Sequence, residues 1–224
     1  AGLTVNKVIP DGFPFSLTIG VYASLVVVFA GILFGSVCAL RQNKLIDRFF
    51  MVLSTLGSTI PSFVLATGFL FLFSKTLGLV PAFGVDEVAG YIGPVLVIGA
   101  FPLSFITRLT RTSLVEVQQQ DYIRTARSKG ISEFKVIYKH ALRNALLPVV
   151  TYIGPMVASI VTGSFVIETV FGIPGVGQLF TDSIVNRDYP LIMGITVFFA
   201  VLLVLAVLIV DLVYVLIDPR IKLD

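Results

Sequence analysis

Chemistry needs reactive side chains placed near one another, and this sequence offers few. His140 is the one histidine, beside Lys139 in a run of arginines and lysines, with no thiol or second imidazole near it. A metal site draws on several nitrogen, sulfur or oxygen ligands, so His140 reads as a loop or interface residue. The same isolation excludes a Ser-His-Asp set. Cys38, the lone cysteine, sits in an apolar run, where a small buried side chain is its role. Gly172, Gly175 and Gly177 in FGIPGVGQ imitate a nucleotide loop, but their spacing is wrong and no strand precedes them. No Gly-x-x-x-x-Gly-Lys-Ser/Thr run occurs, so any ATP hydrolysis belongs to another chain. Two acids stand in apolar surroundings. Glu168, at a membrane edge, either reaches water or serves a cavity, and Asp211, near the end of the last apolar run, pairs with a neighbouring basic residue.

The elements that must carry these residues are membrane helices. Hydrophobic residues make up 56% of the 224 and charged ones 13%, against about 45–50% and about 25% in soluble domains, and the mean hydropathy is +0.99. Residues 1–16, with Pro10, Gly12 and Pro14, read as an extracytoplasmic approach too broken for a helix. Leu17–Leu40 is a charge-free run of 24 residues, about 36 Å as a helix against a hydrocarbon core of about 30 Å. Further spans are expected at about 49–73, 89–107, 145–167 and 190–217. They leave a long loop at 108–144, a Gly/Pro-rich loop at 168–189 and a tail at 218–224. No strand periodicity appears, so the fold class is all-α, an integral membrane helical bundle.

Pro61, at the centre of the second span, frees a backbone carbonyl, which membrane tolerates only beside protein or water. Ser58, Thr59 and Ser62 are accordingly expected to face protein or a pathway. The fourth span carries Gly154, Ala158, Ser159, Thr162 and Gly163, small residues that let helices approach closely in a bundle interior. In the outer loop, Val176, Leu179, Phe180 and Ile184 recur with the period of a short interfacial helix.

Asp121–Pro148 is the one long polar stretch and holds six of the sixteen basic residues. Its pattern is a helix with Tyr122, Ile123 and Ala126 on one side and Arg124 and Arg127 turned elsewhere, then a break at Gly130, then a second helix. Ser132 is the expected N-cap of that helix, Glu133 lies in its first turn, and Phe134, Ile137, Tyr138 and Ala141 form its apolar face. Physics alone leaves two readings open here, a basic amphipathic loop on anionic lipid or a docking element. Thirteen of the sixteen basic residues fall in 41–48, 108–143 and 218–224, against Lys7, Lys75 and Arg187 elsewhere. The positive-inside rule puts the long loop and the C-terminus in the cytoplasm. Residue 1 is then outside and is not methionine, so an earlier span is expected.

Ala126, Gly130 four residues on, and Leu147-Pro148 where the next span opens resemble the cytoplasmic signature loop of bacterial ABC importer membrane subunits. The generic signature begins Glu-Ala-Ala. Arg124-Thr125-Ala126 and the longer Gly130-to-Pro148 separation are similar to the peptide and nickel branch. Ser164–Tyr189 resembles the outer segment of B-type permeases of oligopeptide importers, and the likeness runs from Leu17 to the Asp218-Pro219-Arg220-Ile221 tail. The resemblance implies a type I importer permease fold, six spans in a full chain, and no enzyme activity. It also implies a bacterial plasma-membrane location, a second C-type permease and an extracytoplasmic peptide-binding protein. Two cytoplasmic ATPases would hold ATP and Mg, with no cofactor in this chain and no nucleic-acid partner.

ATPase coupling would fall on Tyr122, Arg124, Thr125, Ala126, Arg127, Ser128, Lys129, Gly130, Ile131 and Ser132. The pathway or its gate would fall on Ser58, Thr59, Pro61, Ser159, Thr162, Ser164, Glu168, Ile173, Pro174 and Gly175. An outward Glu168 would meet the α-ammonium of a peptide. Permeases for dipeptides, nickel or glutathione fit the same residues. An ion-coupled carrier would need ionisable groups deep in its spans, and apart from Asp211 these have none. A membrane-embedded enzyme would need a clustered nucleophile or metal set, and none is seen.

Overall fold

The computed structural model describes residues 5–85 and 87–217, with the side chains of 5, 6, 211 and 213–217 outside that description, as is the tail 218–224. Helix α1 is Val5–Leu40. It begins twelve residues before the expected span and runs through Pro10 and Pro14, correcting the reading of 5–16 as too broken for a helix. The carbonyl of Pro14 accepts from the Thr18 hydroxyl at 2.7 Å, a side-chain donor beside a stretch whose prolines bring no N–H. Helix α2 is Leu45–Thr59, and α3, Ser62–Phe69, continues as a π-helical turn through Thr76. Pro61 stands between α2 and α3 with φ −56° and ψ 142°, outside the helical region, so the proline ends one helix and starts the next.

Helix α4, Ile92–Gln118, extends eleven residues beyond the expected span. The long loop thus starts after 118, not at 108. Helix α5 is Asp121–Ser128; α6, Glu133–Lys135, runs into a π segment Val136–Leu142 and then α7, Arg143–Ala145. Helix α8, Leu147–Val161, stops six residues short of the expected end, because Gly163 takes φ +91°. The outer segment forms α9, Phe165–Phe171, and α10, Val176–Val185, and α11 is Tyr189–Ile217. Among the described residues three helices are long and apolar enough to cross a membrane. Counting Leu45–Thr59 with Ser62–Thr76, and Glu133–Ala145 with Leu147–Val161, as broken spans makes five.

The chain divides into two units. One comprises 1–25, 60–99 and 154–224. Its core joins Ile9, Val176 and Ile195, with Phe13, Phe180 and Phe198 against them. The other comprises 26–59 and 100–153. There α1 and α4 pack through Gly31 and Gly35, where an added Cβ would lie 2.7 Å from Ile106 Cγ2 and 2.6 Å from the Thr107 carbonyl oxygen. Small residues four apart let backbones touch where no water drives helices together. Gly35→Leu is therefore expected to destabilise this unit by about 3 kcal/mol through overpacking, read as a lowered melting temperature in micelles, while Ala30→Leu, at a half-buried position, costs less.

Candidate functional site

The polar stretch folds as a helix, a glycine turn and a second helix, all within the second unit. Ile123 and Ala126 of α5 are buried against Ala39, Leu114, Val136, Ala141 and Ala145. Gly130, at φ +73°, closes α5. Its N–H donates to the Arg127 carbonyl at 3.0 Å, and the Ile131 N–H donates to that of Ala126 at 3.4 Å. This is the paired bonding of a Schellman stop, with Ile131 covering the turn. Across the turn Arg127 grips Glu133 with two nitrogens, Nη2 to Oε1 at 2.6 Å and Nε to Oε2 at 3.1 Å. Both side chains are exposed, so the pair orients the two helices more than it stabilises them. Asn144 Nδ2 donates to Tyr122 Oη at 2.9 Å, tying α5 to α7.

Two expectations change here. Ser132 occupies the N-cap position but its side chain makes no cap bond, Glu133 turning to Arg127 instead. Phe134 and Tyr138, expected on the apolar face, are 68% and 56% exposed. Val136 is buried instead, beside the expected Ala141. A π segment bonds i to i+5 and has more residues per turn than an α-helix, so the 3.6-residue pattern fails there. The exposed side of the element therefore carries Tyr122 and the paired rings of Phe134 and Tyr138, centroids 4.4 Å apart. Arg124, Lys129, Ser132 and Lys135 are also exposed, whereas Ala126 is buried beneath them.

The same unit holds an ion pair that sequence reading missed. Asp47, in the first turn of α2, accepts from Arg111 Nε at 2.6 Å, Arg111 Nη2 at 2.7 Å and the Asn43 N–H at 2.8 Å. Its side chain is 3% exposed. The available signal was a lone acid among Arg41, Lys44 and Arg48 at the start of a span.

In the first unit the FGIPGVG stretch proves to be a cage for Glu168. Gly172 ends α9 in the left-handed region, φ +60°, and turns the chain back so that α10 starts beside the α9 carboxylate. Glu168 Oε2 accepts from the Gly177 N–H at 2.8 Å and the Gln178 N–H at 3.3 Å. Oε1 accepts from the Ser164 N–H at 3.3 Å, and Ser16 Oγ of α1 accepts from the Val176 N–H at 3.0 Å. Glu168 and Ser16 thus satisfy the first three N–H groups of α10. A Cβ on Gly175 would overlap Glu168 Oε2, and one on Gly177 would come within 2.8 Å of it. The two glycines supply room. Burial pushes the Glu168 carboxyl above its ordinary value, while the Ser16 hydroxyl and the N–H groups of Gln178, Gly177 and Ser164 pull it back.

Glu168 is 1% exposed, so the structure turns it inward, away from the outward position expected for meeting a peptide ammonium. Ile173 and Gly175 are buried with it, whereas Pro174 and Ser159 are exposed. Thr162 donates its hydroxyl to the Ser159 carbonyl at 2.7 Å, and Ser164 caps α9 by accepting from the Ile167 N–H at 3.4 Å. Ser58 is half-buried and Thr59 and Pro61 are exposed. The pairing expected of Asp211 concerns a side chain outside the described residues.

An all-α chain of broken and continuous apolar helices, with one polar helix–turn–helix and a buried carboxyl cap, has the make-up of a transport permease. Residues 31–223 match the family described as the binding-protein-dependent transport system inner membrane component, and the chain belongs to that family. It is 50% identical over 220 residues to the dipeptide transport system permease protein DppB of Bacillus subtilis, covering 98% of this chain and 71% of that one. It is 43% identical to the oligopeptide transport system permease protein OppB of Haemophilus influenzae, covering 98% and 72%. Among solved structures it is similar to the MetNI methionine ABC transporter in an inward-facing conformation, with TM-score 0.74, 16% identity and 92% and 94% coverage. An amino acid ABC transporter gives TM-score 0.72 at 15% identity, with 96% and 95% coverage. The fold is that of a type I importer permease, and the chain's role is transport, not catalysis.

Proposed function

We propose that this chain forms half of the membrane pathway of a peptide importer, beside a second, related permease in the bacterial plasma membrane. Two cytoplasmic ATPases bind ATP and Mg and drive it, and an extracytoplasmic binding protein delivers the peptide. The C-terminus and the basic loop face the cytoplasm. The observation that carries the coupling role is the exposed aromatic and cationic face of α5 to the π segment, seated on the buried Ile123 and Ala126. Aromatic anchors ringed by cations are what a docking surface needs. Ala126 then supports the docking face from below.

Oligopeptides are the substrate that the outer-segment resemblance favours. The 50% identity to a permease named for dipeptides supports shorter peptides as a second reading. Uptake of a labelled dipeptide and a labelled pentapeptide in competition separates the two.

The coupling role is tested at exposed positions that leave the base intact. Arg124→Glu combined with Lys129→Glu is expected to lower peptide uptake roughly tenfold, with insertion and melting temperature unchanged. Ser132→Cys is expected to crosslink to the ATPase. Undiminished uptake by the charge-reversed chain overturns the docking role, and labelling of Ser132→Cys from outside by an impermeant reagent overturns the topology.

A further inference from the structure

Helix α2 is held in the unit of residues 26–59 and 100–153 by few contacts. Of its residues only Asp47 and Ser54 are buried, while Leu45, Phe49, Val52, Leu53 and Leu56 are half exposed or more. Its apolar side therefore grips little of the unit. Phe50 stacks on Phe34 of α1 with centroids 4.6 Å apart, and an added Cβ on Gly57 would meet Ser104 Oγ of α4. At the start of the helix the hold is the Arg111 fork on both Asp47 oxygens, with the Asn43 N–H as a third bond. In a bilayer no hydrophobic force presses helices together, and packed methyl groups fix no direction. A bidentate fork fixes direction as well as distance.

Arg111 stands one turn before Leu114 on α4. Leu114 is buried in the cluster that also holds Ile123 and Ala126, the inward side of α5. The end of α4 thus bears α5 at one residue and α2 at another. Helix α2 runs on from Asp47 to Ser58 and Thr59, where the family resemblance implies a pathway. Stability alone does not account for such a pair, because a buried ion pair can often be replaced by apolar residues at little cost. What the fork supplies and apolar contact does not is a fixed geometry.

We propose that Asp47 and Arg111 are positioning residues for coupling. They lock α2 to the end of α4, so that a displacement of α5 received by Leu114 moves α2 with α4 instead of past it. The role rests on the docking function proposed for α5.

The experiment measures peptide imported per ATP hydrolysed by the assembled transporter in proteoliposomes. Asp47→Leu with Arg111→Leu is expected to lower that ratio about tenfold while melting near the natural chain. Arg111→Lys keeps the charge without the fork and should lower it about threefold. In a Cys38→Ala background, Asp47→Cys with Arg111→Cys should be uncoupled when reduced. It should regain most of the ratio once a short bifunctional thiol reagent joins the two positions, which restores the link without the charges. An undiminished ratio in the double leucine variant overturns the proposal, and so does a joined cysteine variant whose ratio stays low. Should the leucine variant melt low, the joined cysteine variant decides. Failure of the docking function is read separately, as full uptake by Arg124→Glu with Lys129→Glu. Failure of the positioning role alone leaves that variant impaired and the leucine variant coupled.

Discussion

Glu168→Ala is expected to lower the stability of the chain by roughly 3–5 kcal/mol, the largest single effect at any polar position described. The change removes the acceptor for the Ser164, Gly177 and Gln178 N–H groups, and each donor left unmade in a buried site costs about 1–3 kcal/mol. Ser16, Gly163, Gly175 and Gly177 crowd the site, and Glu168 is 1% exposed. Unfolding in mixed micelles reads the loss. Gly175→Val should give a comparable loss by the opposite route, forcing a side chain into the carboxylate. Gly175 has φ −91°, which any residue adopts, so space alone is at stake. A chain that melts normally with either change would show that the cap is dispensable.

The pH dependence follows from the direction of the Glu168 shift. Burial raises the native carboxyl above its ordinary value, so between the two values the native chain holds a proton that the unfolded chain has released. The stabilising contribution is complete below the ordinary glutamate range and falls as pH rises through the native value. Glu168→Gln cannot titrate, so the advantage of the natural residue over Gln should shrink as pH rises across that interval. A gap that widens with pH would refute the assignment.

Arg111→Leu is the second large expectation, a loss of about 3 kcal/mol. It strands the Asp47 carboxylate, 3% exposed, with only the Asn43 N–H for company. Breaking one side of a buried pair leaves an uncompensated charge, whereas replacing both sides with apolar residues is often nearly neutral. The double change Asp47→Leu with Arg111→Leu should therefore recover most of the loss. If the double variant is no more stable than Arg111→Leu alone, the pair is not what the single change disrupts.

Much of the coupling element was legible because its signals are local. Gly130 stops α5 by a rule that concerns six consecutive residues, and Ile123 and Ala126 declare their buried side by spacing alone. The face of the following helix was misassigned at Phe134 and Tyr138 because the π turn widens the period, and Val136 packs on Leu114 with the expected Ala141. Proline at 10 and 14 misled for a related reason. Breaker rules drawn from water overstate the break where apolar neighbours hold the helix together.

The sequence by itself determined that this is a multi-helix membrane chain with no P-loop engine, one cationic helix–turn–helix and a family likeness carried by Ala126, Gly130 and Pro148. Composition, run length and turn chemistry need no partner from afar. Only the tertiary structure decided what Glu168, Asp47 and Ser16 do. Glu168 needed Ser16 from 152 positions earlier and the start of a helix nine residues later, and Asp47 needed Arg111, 64 positions away. A buried polar group is defined by which donors and acceptors surround it in space, and chain order does not encode that neighbourhood until the helices have packed.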